Sequence, residues 1–197
     1  GQTKYTAKDF ARSVGLEFRG KAAGQKFNQA SMNTVHIGTE TYVQRPAENV
    51  LDSYYKLTNQ KAYPINYHIK GDDFDTRKEN ARIIYKEMYK NEKGKPIYIT
   101  NGYKDDIEIP FTAFKEIAKH ARKDDLFEVV PFIEQLMQKG IYLYTRLPEE
   151  DRNKKMKADV VEYRGYGAKL KINETEYFAK IVVRKEKSNL LKLHDID

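Results

Sequence analysis

The chain has 197 residues, 40% of them hydrophobic, with 15 Tyr, 9 Phe and no Trp, which is enough material for one or two domains with a real core. It has no cysteine, which excludes disulfides, thiolate zinc sites and cysteine nucleophiles, and fits either a cytosolic protein or one that must unfold to cross a membrane. The net charge of +7, from 36 basic and 29 acidic residues, favours an anionic partner, nucleic acid first, although charge spread this evenly also serves ordinary solubility.

The apolar runs are too short to span a bilayer, and the opening GQTKYTAKDFARSVG lacks the apolar centre of a signal peptide, so no membrane partner is expected. Residues 1–70 read as an N-terminal extension or small accessory module. TAKDFARSVGLEF has the period of an amphipathic helix, with Phe10, Val14 and Leu16 near one face. A Gly-, Asn-, Gln- and Ser-rich stretch follows, holding two short strand candidates, NTVHIG and ETYVQ. Pro46 then opens a short helix in AENVLDSYYKL.

Residues 71–197 are better patterned. Asp72, Asp73 and Asp75 precede TRKENARIIYKEMYKNEKG, where Ala81, Ile84, Tyr85 and Met88 share one helical face and Gly94 is a natural stop. The three carboxylates are acidic enough for a divalent metal, but capping the positive end of that helix accounts for them better. PIYITNGYKDDIEIP reads as two short strands about a turn at Asn101-Gly102. FTAFKEIAKHAR is helical, burying Phe111, Phe114, Ile117, Ala118 and Ala121. LFEVVPFIEQLMQKG reads as a further helix, kinked or entered at Pro131 and stopped by Gly140.

After Gly140 the period changes from helical to alternating. IYLYTRL, ADVVEYRGYGAKLKI, TEYFAKIVVRK and NLLKLHDI are strands, the last two joined through Glu186–Asn189, and PEEDRNKKMK (148–157) is a loop. The order predicts an α+β fold, with helices packed on one face of an antiparallel sheet of about four strands.

No Gly-rich phosphate loop, HExxH motif or nucleophile elbow is present, and neither a metal nor another cofactor is expected. Among the histidines, His120 closes the FTAFKEIAKHAR helix and His194 lies in the last strand. If Leu191 and Leu193 face the helices, strand alternation turns Lys192, His194 and Ile196 the other way, and sets Lys180 and Arg184 opposite Ile181, Val183 and Lys185. The sheet then offers an open face with basic groups and tyrosines (Tyr142, Tyr144, Tyr163, Tyr166, Tyr177). Such a face suits metal-free RNA cleavage. RNA brings its own 2′-OH nucleophile, histidines move protons near neutral pH, Arg and Lys stabilise the phosphorane charge, and Tyr stacks a base or donates to phosphate. A solvated strand face beside a helix-capping histidine is the plainer account of the same residues.

From about residue 78 onward the pattern resembles the barnase–EndoU–colicin–RelE (BECR) nuclease-like domains of phage and mobile-element polyvalent proteins. The resemblance is carried by ARIIYKEMY, GKPIYITNGYKDDIEIPFTAFKEIAKHA, VVPFIEQLMQKGIYL and the closing TEYFAKIVVRKEKSNLLKLHDID. It implies a metal-independent ribonuclease fold whose sheet carries the active site on its open face. By position it implies His120, Arg184 and His194 as catalytic residues, with Tyr163 and Lys180 as substrate-binding residues; Lys185 and Lys192, as cations of the closing strands, are further candidates for binding substrate. It further implies an RNA substrate, an immunity or antitoxin partner, and the bacterial cytoplasm as the site of action after delivery by phage, conjugation or secretion. The chain departs from the family pattern in two places: Lys192 stands where an aromatic precedes the final His, and Asn173-Glu174 replaces the hairpin Gly. A non-catalytic module of a polyvalent protein, binding nucleic acid or protein, is the reading from a different class.

Overall fold

In the computed structural model the described residues are 34–37, 40–43, 45, 47–121, 124–148 and 159–197. The helix expected over TAKDFARSVGLEF lies outside them, as does all but Pro148 of the loop expected over 148–157.

The elements run β1 (Thr34–Ile37), β2 (Glu40–Val43), α1 (Ala47–Thr58), β3 (Tyr63–Ile65), α2 (Phe74–Met88), β4 (Tyr98–Thr100) and β5 (Asp106–Glu108). Then come α3 (Phe111–His120), a 3₁₀ segment (Asp124–Phe132), α4 (Ile133–Lys139), β6 (Ile141–Leu147), β7 (Val160–Ile172), β8 (Thr175–Glu186) and β9 (Leu191–Ile196). Asp73 starts α2: its backbone is extended and its side chain accepts the Thr76 N–H at 2.7 Å, so the acidic run caps the helix. The helix ends at Met88, short of Gly94, which instead takes a left-handed turn at φ 72°. Pro131 has no N–H to give, and the stretch before it winds as 3₁₀ rather than as the first half of a kinked α-helix.

The sheet is the α+β sheet expected, but larger. Among the described residues it has nine strands, not about four, eight of them in the order β1-β2-β6-β7-β8-β9-β5-β4, with β3 pairing the far half of β7. The antiparallel meander β6–β9 is the expected part. Of the additions, β1 and β2 fall on the expected NTVHIG and ETYVQ strands and β4 and β5 on the two expected in PIYITNGYKDDIEIP; their joining this sheet, and the three-residue β3, go beyond the expectation, because strands of three or four residues carry too little alternation to name a partner. Two of the joins, β3 to β7 and β5 to β9, are parallel.

One face carries the main core. There α2, α3, the 3₁₀ segment and α4 pack residues such as Tyr85, Ile117, Phe127 and Leu136 onto Ile181, Val183, Leu191 and Leu193. Inside it Glu128, 1% exposed, pairs with Arg77 and accepts the Ile69 N–H at 2.9 Å. Tyr142, Tyr166 and Tyr177, expected on the open face, pack with this core instead.

The other face is not fully open, which corrects the one-sided arrangement. Val50 and Leu57 of α1 form a second cluster there with Tyr42, Leu143 and Tyr144. The glycines of the RGYG stretch make room for it. A Cβ on Gly165 would lie 2.1 Å from the Tyr144 ring, and one on Gly167 would lie 2.9 Å from both Leu57 and Leu143. The half of this face towards the β8–β9 turn is left to polar side chains.

Candidate functional site

Register decides what stands on that polar half. Tyr42 pairs with Arg146, Arg146 with Tyr163, Tyr163 with Arg184, Arg184 with Lys192, and Lys192 with Glu108. Directly opposed residues share a face, so these six form one rung across β2, β6, β7, β8, β9 and β5. At about 4.8 Å per strand the rung spans roughly 24 Å.

Tyr163 is its centre. The ring is buried beneath two polar groups: the Arg146 guanidinium lies 4.6 Å from its centroid and the His194 imidazole 5.0 Å from it. Further along, the Lys192 ammonium lies between Glu186 at 3.2 Å and Glu108 at 3.5 Å, and Arg184 Nε is 3.5 Å from the same Glu186 oxygen.

His194 reaches this position through a bulge. Val182 pairs with Asp195 and Val183 with Leu193, so β9 has one residue, His194, with no opposite number on β8. The alternation resets there. Leu193 and Ile196 both enter the core, while His194 and Asp195 between them do not. This corrects the simple two-residue period, which puts Asp195 on the core side and Ile196 on the open side.

Asp195, freed from that frame, meets α3, which packs along β9. Its Oδ2 lies 2.9 Å from Nε2 of His120, the last residue of the helix. One turn earlier Glu116 pairs with Lys119 at 2.8 Å and bears electrostatically on both His120 and His194. The bulge and the helix end therefore bring the two sequence-predicted histidines to one corner.

The two imidazoles sit in different settings. Burial and the charges of Arg184, Arg146 and Lys119 push the His194 pKa below the ordinary value, against a smaller opposing effect of Glu116. These effects favour the neutral imidazole, the form that accepts a proton. His120 instead has a carboxylate at hydrogen-bond distance. Burial raises the Asp195 carboxyl above the usual carboxylate range, with His120 opposing the shift.

Arg184, His194, Tyr163 and Lys192 are thus gathered, and His120 stands beside them. Lys180 is set apart in the middle of β8, beyond the end of β9 and 3.9 Å from Asp197. Lys185 is on the opposite face, paired in register with Leu191 of the core and 3.6 Å from Glu162. Sequence reasoning missed Arg146, Glu116 and the Asp195 contact. Alternation does place Arg146 on a face with Tyr144, but nothing local names its neighbour on β7.

Three comparisons with known proteins bear on this arrangement. A family model described as large polyvalent protein-associated domain 3 (LPD3) matches residues 72–191, more than half of the chain. The chain belongs to that family. The LPD3 span takes in Arg146, Tyr163 and Arg184 and, on α3, Glu116 and His120, while Lys192, His194 and Asp195 follow immediately after it. No curated protein and no solved structure matches. No helix among the described residues is long and apolar enough to cross a membrane.

Proposed function

We propose that this polyvalent-protein domain cleaves RNA without a metal, as an effector of a mobile element acting in the bacterial cytoplasm. The observation that carries the reading is the pair of unlike histidines at one corner of the polar face. His194 is half-buried among cations that favour its neutral form, and His120 lies 2.9 Å from the Asp195 carboxyl oxygen. Two proton-transfer groups in contrasting environments are what an acid–base pair needs.

In this mechanism His194 takes the proton from the 2′-OH as that oxygen attacks the adjacent phosphorus. His120 gives a proton to the departing 5′-oxygen. The products are a 2′,3′-cyclic phosphate and a 5′-hydroxyl, and no water or metal enters the step. Arg184, with Lys192, stabilises the charge of the phosphorane. The resemblance to BECR nuclease domains supports the reading independently, and with it an immunity or antitoxin protein as the natural partner.

One observation favours the other class of function, a non-catalytic binding module. Lys180, Lys185 and Lys192 each have a carboxylate within 4 Å, so much of the basic surface is already neutralised. Inducible expression in bacteria separates the two. Wild type should arrest growth and leave discrete RNA fragments ending in cyclic phosphate, and His194→Ala and His120→Ala should each abolish both effects while remaining folded. Intact RNA in cells holding soluble, folded wild type would sink the cleavage reading and leave the binding module.

A further inference from the structure

Within the rung, Arg146 on β6 and Arg184 on β8 stand on either side of Tyr163, both in register with it. Their Cα atoms are two strand spacings apart, about 10 Å, and both side chains leave the same face. Arg146 is not spread at random over the surface, because its guanidinium is laid on the Tyr163 ring at 4.6 Å. A guanidinium stacked on a ring keeps its in-plane N–H groups directed sideways, the arrangement that suits the oxygens of a tetrahedral anion. The His194 imidazole rests on the same ring at 5.0 Å, so both arginines border the space over the base. Two carboxylates among the described residues lie to the sides: Glu186 at 3.5 Å from Arg184 Nε, and Glu116 on α3 with Lys119 at 2.8 Å.

We propose that Arg146 and Arg184 hold one phosphate group between them over Tyr163, which makes Arg146 a second phosphate ligand of this face. The cleavage reading supplies only the carrier of that phosphate, an RNA strand; the anion site follows from the rung itself. The buried ring is the platform that orients Arg146 and sets its distance from His194. Two forks approaching from strands on either side of β7 can together engage three or four oxygens, which a phosphate offers and a single carboxylate does not. The cations that depress the His194 pKa are then the groups that bring the phosphate to it.

The experiment is a titration of the isotope-labelled, full 197-residue chain with inorganic phosphate, followed by the His194 ring resonances in NMR, with chloride at matched ionic strength as the reference. Phosphate should shift those resonances in wild type. Arg146→Ala should weaken the apparent affinity by about tenfold, and Arg146→Lys, which keeps the charge but loses the fork, should fall between. Arg146→Met keeps an apolar stem over Tyr163. It should fold, as judged by its amide spectrum, and bind as weakly as the alanine variant, so a collapse of Arg146→Ala does not protect the idea. A wild-type His194 that ignores phosphate, or a folded Arg146→Met that binds as wild type does, overturns the inference. RNA cleavage is measured in parallel. Arg146-dependent phosphate binding without cleavage upholds the anion site and removes the nuclease reading. Cleavage left unchanged by a folded Arg146→Met removes the role of Arg146 and leaves the nuclease reading standing.

Discussion

Glu128→Gln is the substitution for which the structure sets the cost most directly. Glu128 is 1% exposed, and the Arg77 side chain that it meets is 9% exposed, so neither charge has water to fall back on. One carboxylate oxygen takes the Arg77 guanidinium, and the other accepts the Ile69 N–H at 2.9 Å; His68 Nδ1 stands 3.4 Å away. Three pieces of chain meet there: the 3₁₀ segment, α2 and the residues that follow β3. Glutamine keeps the volume and one acceptor. It removes the negative charge and turns an N–H₂ donor towards a donor or leaves the Ile69 N–H unmet. Breaking a buried pair from one side costs about 3–5 kcal/mol. A domain of this size has about 5–15 kcal/mol in total, and its melting point moves about 2–4 °C per kcal/mol, so a fall of roughly 6–20 °C is expected. Urea unfolding followed by far-ultraviolet circular dichroism at pH 7 measures the change. The double variant Arg77→Met/Glu128→Leu should be less damaged than the two single losses together, because removing both charges leaves neither of them buried and unpaired, while the unmet Ile69 N–H costs about 1–3 kcal/mol. A Glu128→Gln loss below about 1 kcal/mol, or a strictly additive double variant, would refute the argument that the pair is desolvated and coupled.

Two further outcomes are expected. Because the His194 pKa is depressed in the folded state, the unfolded chain binds the extra proton below about pH 6.5, so this residue costs stability as pH falls through that point. Denaturation of wild type and His194→Gln at pH 8 and pH 5 should show wild type losing more on acidification, and an equal loss would contradict a buried imidazole among cations. The β7–β8 hairpin turns through Asn173 at φ 46° and Glu174 at φ 68°, a two-residue turn with both residues left-handed. Glu174→Gly should therefore stabilise the domain by about 1 kcal/mol in thermal unfolding, since the exposed Lys171–Glu174 contact at 3.2 Å adds little; a destabilised variant would count against the turn geometry.

What the sequence disclosed was local. The cap of α2 and the apolar periods of α2 and α3 are written within a dozen residues, and so is the alternation that sends Leu191 and Leu193 inward and Lys192 and His194 outward. The extra residue at His194 is invisible to a period of two, because a bulge is defined against the partner strand. Hence Asp195 and Ile196 were exchanged in the reading, and with them the contact that fixes His120. Val50 and Leu57 announce that α1 buries a stripe but not which side of the sheet receives it. That answer lies in Gly165 and Gly167, more than a hundred residues away. Arg146 stood unmarked for the same reason: its importance comes from standing opposite Tyr163, a pairing made in space and not in order.

The length of β7 has a consequence for how such domains are cut and pasted. Its thirteen residues are shared along one edge between two tenants, β6 beside Tyr163–Gly167 and β3 beside Leu170–Ile172. The family match opens at residue 72, after β3. A fragment severed there would leave Leu170–Ile172 with an empty seam, β6 with a naked flank where β2 had been, and Gly167 as a dent with the Leu57 part of its filling gone. Bare strand edges recruit strands from other molecules. A transplant cut at the border of the family match therefore carries a sticky seam with it.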